Sequence, residues 1–195
     1  MQTIDYLKQT ITSGIKFMSF SEPEDIDNKS FPNEIVDIIK NYGANFLLNG
    51  QEIHIHLDYH DFNGLVNNGI EISNDGAGNT WVVEVNENLE CEAVYFCCHD
   101  PAYLEKQSDS LYEFFQQVIR DEVLDIEGTT IEPIKEIDPN LLNEFSIDEK
   151  SKLKEKVLID FSSNMTAGDS FDWDEFGANT IIVKHKKKEM WLLMK

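Results

Sequence analysis

Three histidines and an aspartate alternate with apolar residues in the segment His54-Ile-His56-Leu-Asp58-Tyr-His60. Residues two apart on a β-strand share a face, so a strand here would project His54, His56, Asp58 and possibly His60 together. Imidazole and carboxylate groups in such a set suit zinc or iron. A metal-dependent hydrolase using His54, His56 and Asp58 is therefore one hypothesis for this chain.

The spacing differs from the His-x-His-x-Asp-His motif of metallo-β-lactamase-like hydrolases, because Tyr59 stands where that motif needs a histidine. Only His99 and His185 remain elsewhere, and neither has the Gly-His context of those enzymes. The alternative is the solvent face of a half-buried strand. We favour this alternative and predict neither a metal site nor a cofactor.

Three other patterns are compatible with chemistry but have the wrong context. His99-Asp100 follows an apolar strand and is typical of a turn. The Gly-x-Gly in 75–79 precedes a predicted strand, whereas a nucleotide-binding loop opens a helix. Cys97 and Cys98 lie in an apolar run of an acidic chain, far from the electropositive setting of a reactive thiolate. The sequence therefore predicts a protein that is not an enzyme.

Net charge is the unusual global property of the chain. Sixteen Lys and Arg against 37 Asp and Glu give a formal charge of −21 over 195 residues. Residues 1–150 hold 8 basic and 30 acidic residues, whereas 151–195 hold 8 and 7. Such a surface repels nucleic acid and anionic membranes and attracts basic proteins, whose encounter it accelerates. The expected partner is a basic protein.

Cysteine usage and the N-terminus point to a reducing compartment. The three cysteines are an odd number, and two are neighbours in one apolar run, which argues against a secreted disulfide framework. The first residues, MQTIDYLKQT, do not form a signal peptide, and no stretch approaches the roughly 18 apolar residues of a membrane span. We expect a cytoplasmic protein.

Helical spacing of apolar residues predicts four helices. Pro32 opens the second and Gly43 ends it. The capping boxes Ser110-Leu-Tyr-Glu113 and Ser146-Ile-Asp-Glu149 open the third and fourth. The predicted helices cover 2–17, 32–43, 110–123 and 146–161.

Strand signals lie mainly between the second and third helices. Alternating or continuous apolar residues predict strands at 46–48, 53–58, 70–72, 80–85 and 93–98, the last being central. Asn49-Gly50 predicts a tight hairpin, and 181–183 with 190–194 a terminal one. Strands grouped in this way indicate an α+β fold with a largely antiparallel sheet and flanking helices.

One region resembles a known family. It begins with Phe31-Pro32 and its helix, and continues through Ile72-Ser-Asn-Asp-Gly-Ala-Gly-Asn-Thr-Trp-Val-Val-Glu-Val85 and Ala93-Val-Tyr-Phe-Cys-Cys-His-Asp-Pro101. It ends with the Phe-containing helix behind Ser110. Together these segments resemble the SUKH superfamily, which includes fungal Smi/Knr cell-wall regulators and bacterial immunity proteins.

The resemblance covers residues 31–122 and implies one SUKH-like domain over 1–195, with 123–195 as a C-terminal helix and hairpin extension. It implies a compact α+β fold without catalytic residues, and a bacterial protein that neutralises a toxin, often a nuclease, by masking it. A Smi/Knr-like signalling or scaffold role is the alternative.

Loops carry most binding functions, so exposed acids near turns and strand ends are the candidate contact residues. These candidates are Asp58, Asp61, Glu71, Asp75, Glu87, Glu90 and Asp100.

Overall fold

The structure is a computed structural model that describes residues 3–24, 26, 30–123, 128–145, 147, 155–162, 166–173 and 180–195. Its helices are α1 (Thr3–Thr12), α2 (Asn33–Tyr42), α3 (Leu111–Arg120) and α4 (Pro139–Leu142). The strands are β1 (Phe17–Ser19), β2 (Asn45–Leu48), β3 (Gln51–His54), β4 (Gly69–Asn74), β5 (Thr80–Val85), β6 (Cys91–His99), β7 (Ala102–Ser108), β8 (Lys156–Asp160), β9 (Ser170–Asp172), β10 (Ile181–Lys184) and β11 (Met190–Met194). None of the helices within these ranges has the length and hydropathy needed to span a bilayer.

All three sheets are antiparallel, which confirms the predicted α+β class. The main sheet has the order β4-β5-β6-β7-β9, with β6 in the middle as predicted. The small sheet β1-β2-β3 and the C-terminal sheet β10-β11-β8 complete the set. Strand β9 joins the main sheet through β7, so a segment far along the chain contributes to the central layer.

The main sheet separates two apolar cores. Side chains alternate across a strand, so Trp81 and Val83 pack with the helices and the small sheet, while Val82 between them faces the C-terminal sheet. Tyr95 likewise packs with Trp191 on the C-terminal side. Strands β8, β10 and β11 therefore pack, together with Leu65 and Val66, against one face of the main sheet.

Local signals explain α2, α3 and the first hairpin. Gly43 ends α2 at φ 83°, and a Cβ there would lie 2.4 Å from Ser21 Oγ. The Glu113 N–H donates to Ser110 Oγ at 3.2 Å. Glu113 accepts from the Asp109 N–H and not from the Ser110 N–H that an ideal capping box would use. Asn49-Gly50 has positive φ at both positions, as a type I′ turn requires.

The predicted fourth helix is wrong where the structure describes it. Residues 156–160 form β8, which pairs with β11, while the capping box at 146–149 falls almost entirely outside the described residues. Val157, Leu158 and Ile159 are buried on both faces of the C-terminal sheet. A short continuous apolar run cannot be distinguished from a buried helix by periodicity, and here strand pairing decides.

Two predicted elements are too long. Helix α1 ends at Thr12, and Gly14 follows with φ 101° before β1 begins at Phe17. Ile11 and Ile15 still pack against the core. Their spacing therefore predicted correctly that they face the core, but it did not predict where the helix ends. Strand β3 ends at His54, four residues before the predicted end.

Candidate partner-binding groove

Five of the seven predicted contact residues lie at the two ends of the main sheet. Consecutive antiparallel strands place the β4–β5 and β6–β7 turns, with Asp75 and Asp100, at one end. The β5–β6 turn, with Glu87 and Glu90, lies at the other. Asp61 belongs to this second end, because it lines the same groove as Glu87 and Glu90. The structure thus brings together Asp61, Glu87 and Glu90.

Two of the other candidates have structural roles. Asp75 accepts hydrogen bonds from the Ala77 N–H at 2.8 Å and from Asn79 Nδ2 at 2.7 Å, and so closes its own turn. Glu71 is half-buried, accepts from Asn74 Nδ2 at 3.2 Å and lies 3.8 Å from His56 Nε2. Asp58 and Asp100 are exposed.

An open groove of about 1140 Å³ lies between two chain reversals. One wall is Asn86–Glu92, here called the acidic turn, which carries Glu87, Glu90 and Glu92. The other is His185–Lys188, here called the lysine loop. A second cavity of about 350 Å³, next to Glu34 and Asp37 of α2, shares Glu90 and Cys91 with the groove. The acidic turn therefore forms a ridge between two cavities.

Asn86 organises the acidic turn. Its Oδ1 accepts from the N–H groups of Asn88 at 2.9 Å and Glu90 at 3.1 Å. Its Nδ2 donates to Glu90 Oε2 at 3.0 Å and Glu92 Oε1 at 3.1 Å. One amide thus shapes the backbone and holds two carboxylates side by side.

A buried ionic network forms the floor of the groove. Lys184 Nζ contacts Glu84 and lies 3.4 Å from Glu189 Oε2, and the Tyr95 hydroxyl donates to Glu189. The lysine also lies 5.1 Å from the centroid of the Tyr95 ring and 5.2 Å from that of Trp191. Burial raises the pKa of Glu84, while the adjacent Lys184 opposes this shift. Burial likewise raises the pKa of Tyr95, so its hydroxyl stays a donor.

The lysine loop is braced from below. Glu144 Oε2 lies 2.8 Å from Lys188 Nζ and 3.2 Å from His185 Nε2. His185 is buried, and its Nδ1 accepts from the Lys187 N–H at 3.0 Å. The hydrogen bond from Lys188 is the main reason that the pKa of Glu144 lies below its usual value. Lys186 and Lys187 remain exposed.

Several groove residues were not predicted, although the charge pattern of the sequence indicates the acidic ones among them. Residues 41–105, which run from the end of α2 into β7, contain 11 Asp and Glu and no Lys or Arg. Dividing the charge count at residue 150 hid this stretch. Glu84, Glu92 and Lys184 were not among the candidates, because pairing between residues 84 and 184 leaves no local pattern.

The histidine segment does not form the predicted continuous strand with His54, His56, Asp58 and His60 on the same face. Because β3 ends at His54, Asp58 and His60 do not continue the same strand face. The His54 and His56 rings lie 4.2 Å apart between centroids. Within the described ranges, no group of three or more His, Cys, Asp or Glu side chains is arranged to hold a metal ion.

Two cysteine thiols, those of Cys91 and Cys97, stay protonated near neutral pH. Burial raises the pKa of Cys97 to about 12 and also raises that of Cys91, where Glu34 adds to the effect. A protonated thiol is a poor nucleophile, so these residues act as small core side chains.

No protein-family model matches this chain, and no curated protein or solved structure matches it either. The resemblance to the SUKH superfamily therefore stays a prediction.

Proposed function

We propose that this protein is an acidic protein-binding module of the SUKH type, an immunity protein that neutralises a basic bacterial toxin by masking it. The observation that carries the proposal is the acidic turn, which projects Glu87, Glu90 and Glu92 between two cavities. It belongs to a stretch, 41–105, without Lys or Arg. A nuclease is the expected toxin class, because nuclease clefts are basic in order to hold phosphate.

Electrostatics gives such a module speed as well as affinity. A surface of one sign steers a partner of the opposite sign and raises the association rate, and salt weakens this effect. The rigid arrangement that Asn86 imposes on Glu90 and Glu92 lowers the entropy that these side chains lose on binding. Faster association and a lower entropic cost both favour binding of a basic macromolecule, and neither effect involves a catalytic group.

We also propose that the protein works in the cytoplasm. Its three cysteines are free thiols, a state that a reducing compartment maintains. A toxin that acts on intracellular nucleic acid would be met there.

Titration with candidate basic toxins, bacterial nuclease domains first among them, tests the proposal. Isothermal calorimetry and stopped-flow association would be run at roughly 50 and 300 mM salt, where screening differs strongly. The triple variant E87Q/E90Q/E92Q should weaken binding at least about tenfold, mainly through slower association at low salt. The matched control E52Q/D121N/E132Q removes the same charge from exposed sites outside both cavities, and asparagine suits the left-handed conformation of Asp121.

The control should change affinity much less than the groove variant. Binding that is indifferent to ionic strength, or equal losses in the two variants, would contradict the proposal. Turnover of a substrate by the purified chain would contradict it as well.

A further inference from the structure

The groove of this very acidic protein carries a concentration of positive charge. Five of the sixteen Lys and Arg line it, namely Lys106, Lys184 and Lys186–Lys188. Lys106 is buried beside Asp109, and Lys184 is buried beside Glu84. Lys186 and Lys187 are exposed at the rim. The rim therefore has a positive side and a negative side.

Buried contacts between the flanking strands hold the lysine loop and the acidic turn next to each other. Lys184 is the last residue of β10, directly before the lysine loop, and Glu84 is on β5, two residues before the acidic turn. Their buried contact therefore joins the strand that leads into the loop to the strand that leads into the turn. Glu189, just after the loop, accepts from Tyr95 on the strand that follows the turn. Two contacts thus couple the reversals of two stacked sheets. The lysine loop has a defined position beside the acidic turn.

The loop is also stiff, because Glu144 contacts both His185 and Lys188, and His185 accepts from the Lys187 backbone. The backbone that carries Lys186 and Lys187 is therefore held beside the groove, although both side chains are exposed. A loop that is already ordered loses less entropy on meeting a partner. Its two lysines also place positive charge on one fixed side of the groove, where they repel a like charge.

We propose that the groove recognises a dipolar protein surface, in which a basic segment meets the acidic turn and a neighbouring carboxylate meets Lys186 and Lys187. This inference rests on the proposed function and narrows it. The acidic turn supplies attraction, and the lysine loop excludes proteins that are basic throughout. Specificity of this kind comes from an unfavourable contact with wrong partners as much as from a favourable one with the right partner.

Two synthetic peptides of identical composition test the inference. The block peptide has a run of lysines, a Gly-Ser spacer and a run of glutamates; the alternating peptide has the same residues with the charges interleaved. Wild-type protein at low ionic strength should bind the block peptide at least about fivefold more tightly, by fluorescence anisotropy. Poly-lysine serves as a third, uniformly basic probe.

The variant K186Q/K187Q should bring the ratio of the two peptide affinities close to one and should bind poly-lysine more tightly than wild type. The matched control K8Q/K16Q changes net charge equally at exposed sites on and beyond α1, and it should keep the peptide preference. All substituted lysines are exposed, and thermal melts would verify that each variant is folded.

Equal affinity of wild type for the two peptides, or a preference that survives K186Q/K187Q, overturns the inference. So does failure to bind either peptide while poly-lysine binds. These results leave the proposed function standing, since that function fails on a different measurement: toxin binding that is indifferent to ionic strength, or equal losses of toxin affinity in E87Q/E90Q/E92Q and its matched control.

Discussion

Lys184 is a charge held almost entirely out of water, with a side chain that is 3% exposed. Such a charge is tolerated because Glu84 and Glu189 neutralise it and the faces of Tyr95 and Trp191 surround it. The two carboxylates would repel each other without the lysine. At the residue scale, the groove floor therefore depends on a balance among a few buried groups.

We expect Lys184→Met to lower the free energy of unfolding by about 3 kcal/mol, because it leaves two carboxylates without their buried cation. Adding Glu84→Gln should recover part of the loss, since it removes one of these carboxylates. Lys187→Met, on the exposed loop, should change stability by less than about 0.5 kcal/mol. Urea denaturation monitored by tryptophan fluorescence measures all three. A loss below about 1 kcal/mol for Lys184→Met would show that this network contributes little.

At the scale of elements, two reversals define the site, and each depends on one polar side chain. His185 shapes the lysine loop by accepting a backbone N–H, and Asn86 shapes the acidic turn with both ends of its amide. Asx side chains stabilise turns in this way by hydrogen bonding to their own backbone. Neither residue would be recognised as functional from its type.

We expect Asn86→Ala to lower stability by about 1 kcal/mol, the usual effect of losing side-chain hydrogen bonds at a turn. It should also weaken binding of a basic partner, because Glu90 and Glu92 lose the amide that holds them together. Asn88→Ala, in the same turn, is the matched control and should affect both quantities less. Thermal denaturation and partner titration give the two readouts. The proposed role of Asn86 would be wrong if the two variants behaved alike.

At the scale of the whole molecule, the C-terminal residues are a structural layer. Trp191 is fully buried and donates from Nε1 to the Leu65 carbonyl at 2.7 Å. Val82, Tyr95 and Leu104 on the main sheet pack against this layer. The same layer supplies the lysine loop, so the groove exists only where the main sheet and the C-terminal sheet meet.

A chain that ends at Val123 should therefore lose cooperative unfolding and bind the dye ANS strongly, because one face of the main sheet would be exposed to water. Large exposed apolar faces also promote association, which size-exclusion chromatography detects. The full-length protein under the same conditions is the reference. A monomeric, cooperatively unfolding fragment without ANS binding would mean that residues 1–123 form an independent domain.

Local sequence determined those elements whose signals lie within a few residues of one another. The caps of α2 and α3, the Asn49-Gly50 hairpin, the pairing of β10 with β11 and the acidic character of the surface all follow from short-range spacing or composition. Tertiary structure decided that 156–160 is a strand, because pairing with β11 and burial on both faces outweigh periodicity. It also decided that Glu84 meets Lys184, one hundred residues away. A contact between residues so far apart in sequence depends on how the main sheet and the C-terminal sheet stack. That stacking is driven by the burial of many apolar side chains, so the identities of Glu84 and Lys184 alone do not predict it.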